Sequence, residues 1–211
     1  MLECQLDKAK LLSLLQKQLS NFFFLDQQEI DSLEHLFDNV WEKVYNCFKL
    51  IDNKYYKNSE GRLVFSPYHS GQYLTFLYLY SYVCSTEGNK LLADKLYYLN
   101  KIMHACDIYH EVKLPDSFFF EHPVGTVLGR AEYGNGFFAM QNCTVGANKD
   151  KYPKIGIHCK MFSGSKILGN STIGDHVIIA ANAYVKDQDI PSHSIVFGSS
   201  PNIIIKPIKL T

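Results

Sequence analysis

Broken every six residues, the stretch from 155 to 185 reads IGIHCK, MFSGSK, ILGNST, IGDHVI, IAANAY, V, so that Ile155, Met161, Ile167, Ile173, Ile179 and Val185 head successive units. Four residues after each of the first five heads stand Cys159, Ser165, Ser171, Val177 and Ala183, all small or β-branched. Neither common element has this period: a helix repeats its apolar face at about 3.6 residues and a strand at about two. A repeat of six with one aliphatic and one small phase predicts a triangular solenoid. Each unit supplies one flat strand and one corner, and three units close a coil. The aliphatic phase points into the narrow interior, and the small phase packs near the tight corner. Stacked coils then satisfy one another's backbone groups and bury a continuous core.

Working outward, Val127, Tyr133, Ala139 and Val145 keep the same spacing, with Ala131, Phe137 and Cys143 in the second phase. The register breaks between Val145 and Ile155, which are ten residues apart, so residues 147–154 are expected to leave the solenoid as a loop. Gly129, Gly134, Gly146, Gly156, Gly169 and Gly174 fall where turns need positive φ or close backbone approach. Pro191 ends the pattern, and residues 192–211 read as an extended tail.

From Leu2 to about Ala105 the period is helical. Apolar residues recur at three and four through Leu11, Leu12, Leu14, Leu15 and Leu19, and again through Ile30, Leu33, Leu36, Phe37, Val40, Trp41 and Val44. Asp26 predicts an N-cap, with Glu29 at the capping-box position. Residues 53–63 read as a loop. Ser70 opens a helix to about Val83, and Glu87-Gly88-Asn89 precedes a last one to about Ala105. The Tyr-rich faces (Tyr73, Tyr78, Tyr80, Tyr97, Tyr98) are expected to pack between helices. The fold class is α+β: a helical domain over 1–106, a β-helix over 107–191 and the tail.

Composition narrows the partners. Lys plus Arg and Asp plus Glu each number 21, which argues against a broad polyanion surface and so against nucleic acid. Six scattered cysteines without a C-x-x-C pair suit neither a zinc site nor a disulfide scaffold, and are expected as reduced thiols in a cytoplasm. No signal peptide is read at the start, and the most apolar run, Tyr73 to Cys84, is short of the roughly 20 residues a membrane helix needs.

Three segments carry a resemblance. His122-Pro123-Val124-Gly125-Thr126-Val127-Leu128-Gly129 has a His-x-x-Gly-x-Val-x-Gly pattern, Asp107 lies fifteen residues before His122, and Gly164-Ser165-Lys166-Ile167-Leu168-Gly169-Asn170 has a Gly-small-Lys-Ile-Leu-Gly-Asn pattern. Together they resemble the hexapeptide-repeat acyltransferases, and within them the serine acetyltransferase branch. The likeness covers roughly Asp107 to Lys206 and implies a left-handed parallel β-helix behind a helical domain. It also implies acetyl transfer from acetyl-CoA, as co-substrate, to a hydroxyl, with no metal. Two departures stand out: Lys151-Tyr152-Pro153-Lys154-Ile155 replaces the branch's Arg-His-Pro-Lys-Ile, and Glu121 replaces its Asp beside the histidine.

The resemblance implies roles. His122 would take the hydroxyl proton and return it to the leaving thiolate, since an ordinary imidazole titrates near neutrality. Asp107 would hold its tautomer, and Glu121 would be a second orienting carboxylate or touch the acceptor. His110 is the alternative base, while His35, His69, His104, His158, His176 and His193 have no comparable support. Cys143, at a small corner position, suits packing better than an acyl-enzyme. Gly146, Ala147, Ser165 and Ala181 match the coenzyme groove, with Lys166, Lys206, Lys186 and Lys209 as phosphate partners by charge. Lys151 and Tyr152 would face the acceptor, either serine or a sugar hydroxyl of a surface polysaccharide. The family assembles as trimers, so a homotrimer or a dimer of trimers is expected. A non-catalytic β-helix scaffold is the alternative of a different class.

Overall fold

The computed structural model describes residues 2–208. Two compact units divide between His104 and Ala105.

The first unit holds α1 (Lys8–Phe22), α2 (Gln27–Phe48), α3 (Ser70–Thr86) and α4 (Lys90–His104), with a parallel pair of short strands, β1 (Glu3–Cys4) and β2 (Val64–Phe65). Sequence-local chemistry sets the helix starts. The Asp7 carboxylate accepts from the Lys10 N–H, and Asp26 and Glu29 close a reciprocal capping box at the head of α2. Helix α3 is buried on every side from Gly71 to Ser81, which accounts for its lack of a polar face. Tyr73, Tyr78 and Tyr80 are therefore core residues; the Tyr73 hydroxyl bonds Gln18, and the Tyr80 hydroxyl donates to the Leu33 carbonyl. Tyr98 is the exception, exposed on α4.

The second unit is a parallel β-helix with three faces. The first face stacks β3 (Asp107–Ile108), β5 (Val127–Leu128), β8 (Thr144–Gly146), β11 (Lys166–Leu168) and β14 (Tyr184–Lys186). The second stacks β4 (Phe118–Phe120), β7 (Phe137–Ala139), β10 (Lys160–Met161), β13 (Ile178–Ile179) and β15 (Ser194–Ser199). The third stacks β6 (Glu132–Tyr133), β9 (Lys154–Ile155) and β12 (Thr172–Ile173), and Ile190 continues it by a parallel bridge to Ile173. The aliphatic phase fills the interior: Val145, Ile155, Met161, Ile167, Ile173, Ile179 and Val185 are all buried. Cys159, Ser165, Ser171, Val177 and Ala183 are buried beside them, as the small phase requires.

Three expectations change. Val127 is exposed and Leu128 is the inward residue, paired with Val145; only five residues separate it from Tyr133, so the coil is one residue short there. Residues 192–208 are not simply an extended tail. Strand β15 completes the second face, and β16 (Asn202–Pro207) folds back on it antiparallel. Positive φ at the corners is shared between Asn142, His158, His176, Asn182 and His193 and glycines such as Gly136 and Gly164, while of the six glycines singled out only Gly169 has it. Asn and His tolerate this region better than most side chains. Gly134 is needed for contact instead: a Cβ there would lie 2.5 Å from the Gly156 carbonyl carbon one coil away. The residues that break the register form a two-residue hairpin, with Asn148 and Lys151 exchanging both backbone hydrogen bonds and Lys149 and Asp150 at positive φ.

Candidate active site

Register locates an irregular corner. Phe120 pairs with Ala139 and Leu128 with Val145, eight residues apart in one coil and six in the next. Two extra residues must therefore bulge from the corner between β4 and β5. Glu121 and His122 are both exposed there, and His122 takes φ +50. The Val124 N–H turns back to the His122 carbonyl (2.8 Å), and the Thr126 N–H to that of Pro123 (3.0 Å). Gly125 permits the turn because its φ is +77 and any Cβ would sit 2.2 Å from Asn142 Oδ1. Two bonds tie this corner to the preceding strand: Gly125 N–H to the Ala105 carbonyl (2.8 Å) and Asp107 N–H to the Thr126 carbonyl (2.9 Å). Asp107, half-buried, is thereby brought to the same corner as His122 and Glu121, although fifteen residues precede the histidine.

The rival groups are placed elsewhere. His110 is 1 % exposed and closed off from a substrate. Cys143 is fully buried, and burial raises its thiol further above neutrality, against the needs of a nucleophile. One coil away from Val124, whose carbonyl receives the Asn142 N–H, lies Gln141; its Oε1 is buried with no hydrogen-bond partner among the described residues.

The residues expected along a coenzyme path divide. Gly146, half-buried, ends β8, and Ala147 and Ala181 are exposed. Ser165 lies wholly inside, near Cys143 Sγ (3.7 Å), because it occupies the small interior phase, and Ser163 and Gly164 form the outer surface of that corner. Lys166 gives its ammonium to the Gly164 carbonyl (2.9 Å) on the first face. Lys206 stands on β16 beside the second face, its ammonium 5.8 Å above the Phe197 ring. These two lysines are on different faces and do not form one cluster. Lys186 is half-buried on the first face, and Lys209 lies outside the described residues. Lys151 and Tyr152 are exposed at the hairpin, Tyr152 at 42 %.

One grouping was missed by sequence reasoning. His158, His176 and His193 occupy equivalent corners of three successive coils, at φ +53, +55 and +56. Their rings stack at 4.9 Å, and again at 4.9 Å. The signal was present, since each stands two residues after Gly156, Gly174 or Pro191, but only coil closure shows that they touch. Among the described residues no group of three or more His, Cys, Asp or Glu could hold a metal ion, and no helix is long and apolar enough to cross a membrane.

The six-residue repeat thus closes as a three-faced parallel β-helix with an exposed histidine on a bulged corner. No family model matches the chain. It is 31 % identical over 163 residues to serine acetyltransferase 2 of Arabidopsis thaliana, covering 75 % of this chain and 49 % of the relative. The chain thus spans about half the length of that relative. Among solved structures, serine acetyltransferase isoform 3 of Entamoeba histolytica, in complex with cysteine, superposes with a TM-score of 0.66 at 24 % identity, over 96 % of this chain and 73 % of that one. A serine acetyltransferase in complex with CoA superposes at 0.68 with 20 % identity, over 85 % and 75 %. The chain is thus similar to serine acetyltransferases over three quarters of its own length, and it shares their fold.

Proposed function

We propose that the protein is an acetyl-CoA-dependent O-acetyltransferase that moves acetyl directly to a hydroxyl, with His122 as general base. The observation that carries this reading is the two-residue bulge, which leaves His122 in solvent on an otherwise regular solenoid, at the corner to which the Asp107 strand is bonded. A scaffold gains nothing from such a departure. His122 takes the acceptor proton as the oxygen attacks the thioester carbonyl. The carbon–sulfur bond then breaks, and the same imidazolium returns the proton to the thiolate. Asp107 orients the ring and Glu121 is a second carboxylate at its side. No nucleophilic side chain is required, in keeping with the buried Cys143. The backbone around Gly146, Ala147, Gly164 and Ala181 forms the coenzyme path. The CoA complex of a related fold supports the co-substrate.

Serine is the first acceptor to test, because the relatives are serine acetyltransferases. A sugar hydroxyl is the second, favoured by the exposed Tyr152, whose ring is a stacking surface for a pyranose where the branch has histidine. Lys151 stands beside it to bind polar acceptor groups. Assembly as a homotrimer is supported by the aromatic outer surface of the second face, where Phe119 stacks on Phe138 at 5.4 Å and Phe138 meets Phe162 at 6.1 Å. Six cysteines with no disulfide suit a reducing cytoplasm. The test is thiol release from acetyl-CoA with L-serine and a panel of sugars and nucleotide sugars, for wild type and His122→Ala. Loss of turnover in the variant supports the base; no turnover with any acceptor and no acetyl-CoA binding would leave the scaffold reading.

A further inference from the structure

The histidine corner faces a groove of about 300 Å³ lined by His158, Lys160, His176, Ile178, His193 and Ile208. Its polar lining consists only of groups that can donate: three imidazoles and one ammonium. None of the four side chains makes a hydrogen bond or ion pair within the described residues; the rings stack on one another, and that of His158 also lies over Gly136. Among the described residues no carboxylate lines the groove. Asp175, immediately before His176 on the same corner, is turned to the backbone, where its Oδ1 accepts from the Ile157 N–H of the adjacent coil (2.9 Å). Lys160 stands on the second face two residues beyond His158, in register with Ile178, so the ammonium flanks the ladder from the side. Two isoleucines supply the apolar remainder.

This set does not suit a cation. Parallel rings 4.9 Å apart hold equivalent nitrogens at about the same separation. A zinc-like ion bound by two of them at roughly 2.1 Å each could span at most about 4.2 Å. Lys160 would also repel it. Donors repeated along the solenoid axis, an ammonium beside them and an absence of acid are what oxyanion recognition requires.

We propose that the His158–His176–His193 ladder and Lys160 form a binding groove for the phosphate groups of an elongated ligand lying along the solenoid axis. Each imidazole donates one N–H when neutral and two when charged, so a phosphate can bridge neighbouring coils while Lys160 balances its charge. Ile178 and Ile208 contact the less polar part of the ligand. Two sources share this chemistry: the nucleotide end of the coenzyme, an assignment that rests on the acetyl-CoA reading above, and a phosphate-bearing acceptor.

Isothermal titration of wild type, Lys160→Gln and Lys160→Gln/His176→Asn with adenosine 3′,5′-bisphosphate, pyrophosphate and UDP-glucose tests the groove. Asparagine keeps the left-handed corner, and Lys160→Gln changes only an exposed side chain, so at least one variant retains the fold. At least tenfold weaker binding in the double variant, and a smaller loss in Lys160→Gln, is expected. Preference for the bisphosphate assigns the coenzyme, and preference for the diphosphate sugar assigns the acceptor. Equal affinity in all three proteins, or no binding by wild type, overturns the proposal. Thiol release separates the two readings: turnover with unchanged binding in the variants removes the groove and leaves the enzyme. Bisphosphate or nucleotide-sugar binding that the variants lose, without any turnover, keeps the groove and removes the enzyme.

Discussion

Replacing Gly134 and Gly146 by alanine, one at a time, should move stability in opposite directions although both glycines belong to the same repeat. A Cβ on Gly134 would lie 2.5 Å from the Gly156 carbonyl carbon and 2.6 Å from both its oxygen and the Ile157 nitrogen. Ordinary contact begins at 3.4 Å, so the coils must separate by 3.4 − 2.5 = 0.9 Å on this face. The displaced atoms are backbone and cannot rotate away. The separation strains the Gly134 N–H bond to the Ile155 carbonyl (2.8 Å) and that of Glu132 to Pro153 (3.0 Å). Overpacking costs about 1–3 kcal/mol and each weakened hydrogen bond up to about 1 kcal/mol, so Gly134→Ala should lose about 3 kcal/mol. At roughly 4–8 °C per kcal/mol for a unit of this size, the solenoid transition should fall by about 12–24 °C. A Cβ on Gly146 meets only Leu168 Cδ2 at 3.5 Å, which is normal contact. Gly146→Ala should then gain about 0.4–1 kcal/mol from the stiffer unfolded chain. Differential scanning calorimetry on the two variants decides the matter. Equal shifts would refute coil-to-coil contact as the reason for glycine at 134.

His122→Ala should lower kcat about 10²–10⁴-fold, the usual contribution of a general base, and leave the melting temperature within a few degrees because the side chain is exposed. His104, half-buried with Nδ1 2.7 Å from Asn100 Oδ1, is pushed down by burial to about 4, against about 6.5 unfolded. Its stability contribution is complete above about pH 6.5 and is lost as pH falls toward 4, by roughly 3 kcal/mol. Urea midpoints at pH 7.5 and 4.5 should show that loss in the helical unit, and His104→Gln should flatten it. Gln141→Leu removes a buried acceptor without a partner and should raise stability by about 1 kcal/mol, read by the same calorimetry; a fall would mean that the amide is satisfied in solution.

The corner chemistry was partly legible. His122 and Asp107 were marked by a motif and a spacing, and the structure brings their backbones to one corner. Nothing in the sequence said that two extra residues bulge there, because that count needs the pairing of Phe120 with Ala139 and of Leu128 with Val145. The burial of Ser165 follows the small phase already read from the repeat.

Period and phase determined the solenoid, since six-residue spacing of aliphatic and small residues has no other regular solution, and Asp26 with Glu29 marked the start of α2 by local hydrogen bonding alone. Those are short-range constraints. Tertiary structure decided whatever depends on closing a coil: that Leu128 and not its apolar neighbour Val127 turns inward, that residues 194–207 pair as a hairpin, and that three histidines some eighteen residues apart become touching rings. Adjacent apolar residues are equivalent to a periodic pattern until a neighbouring strand fixes the register. Contacts between coils exist only once the chain has turned through three corners and returned.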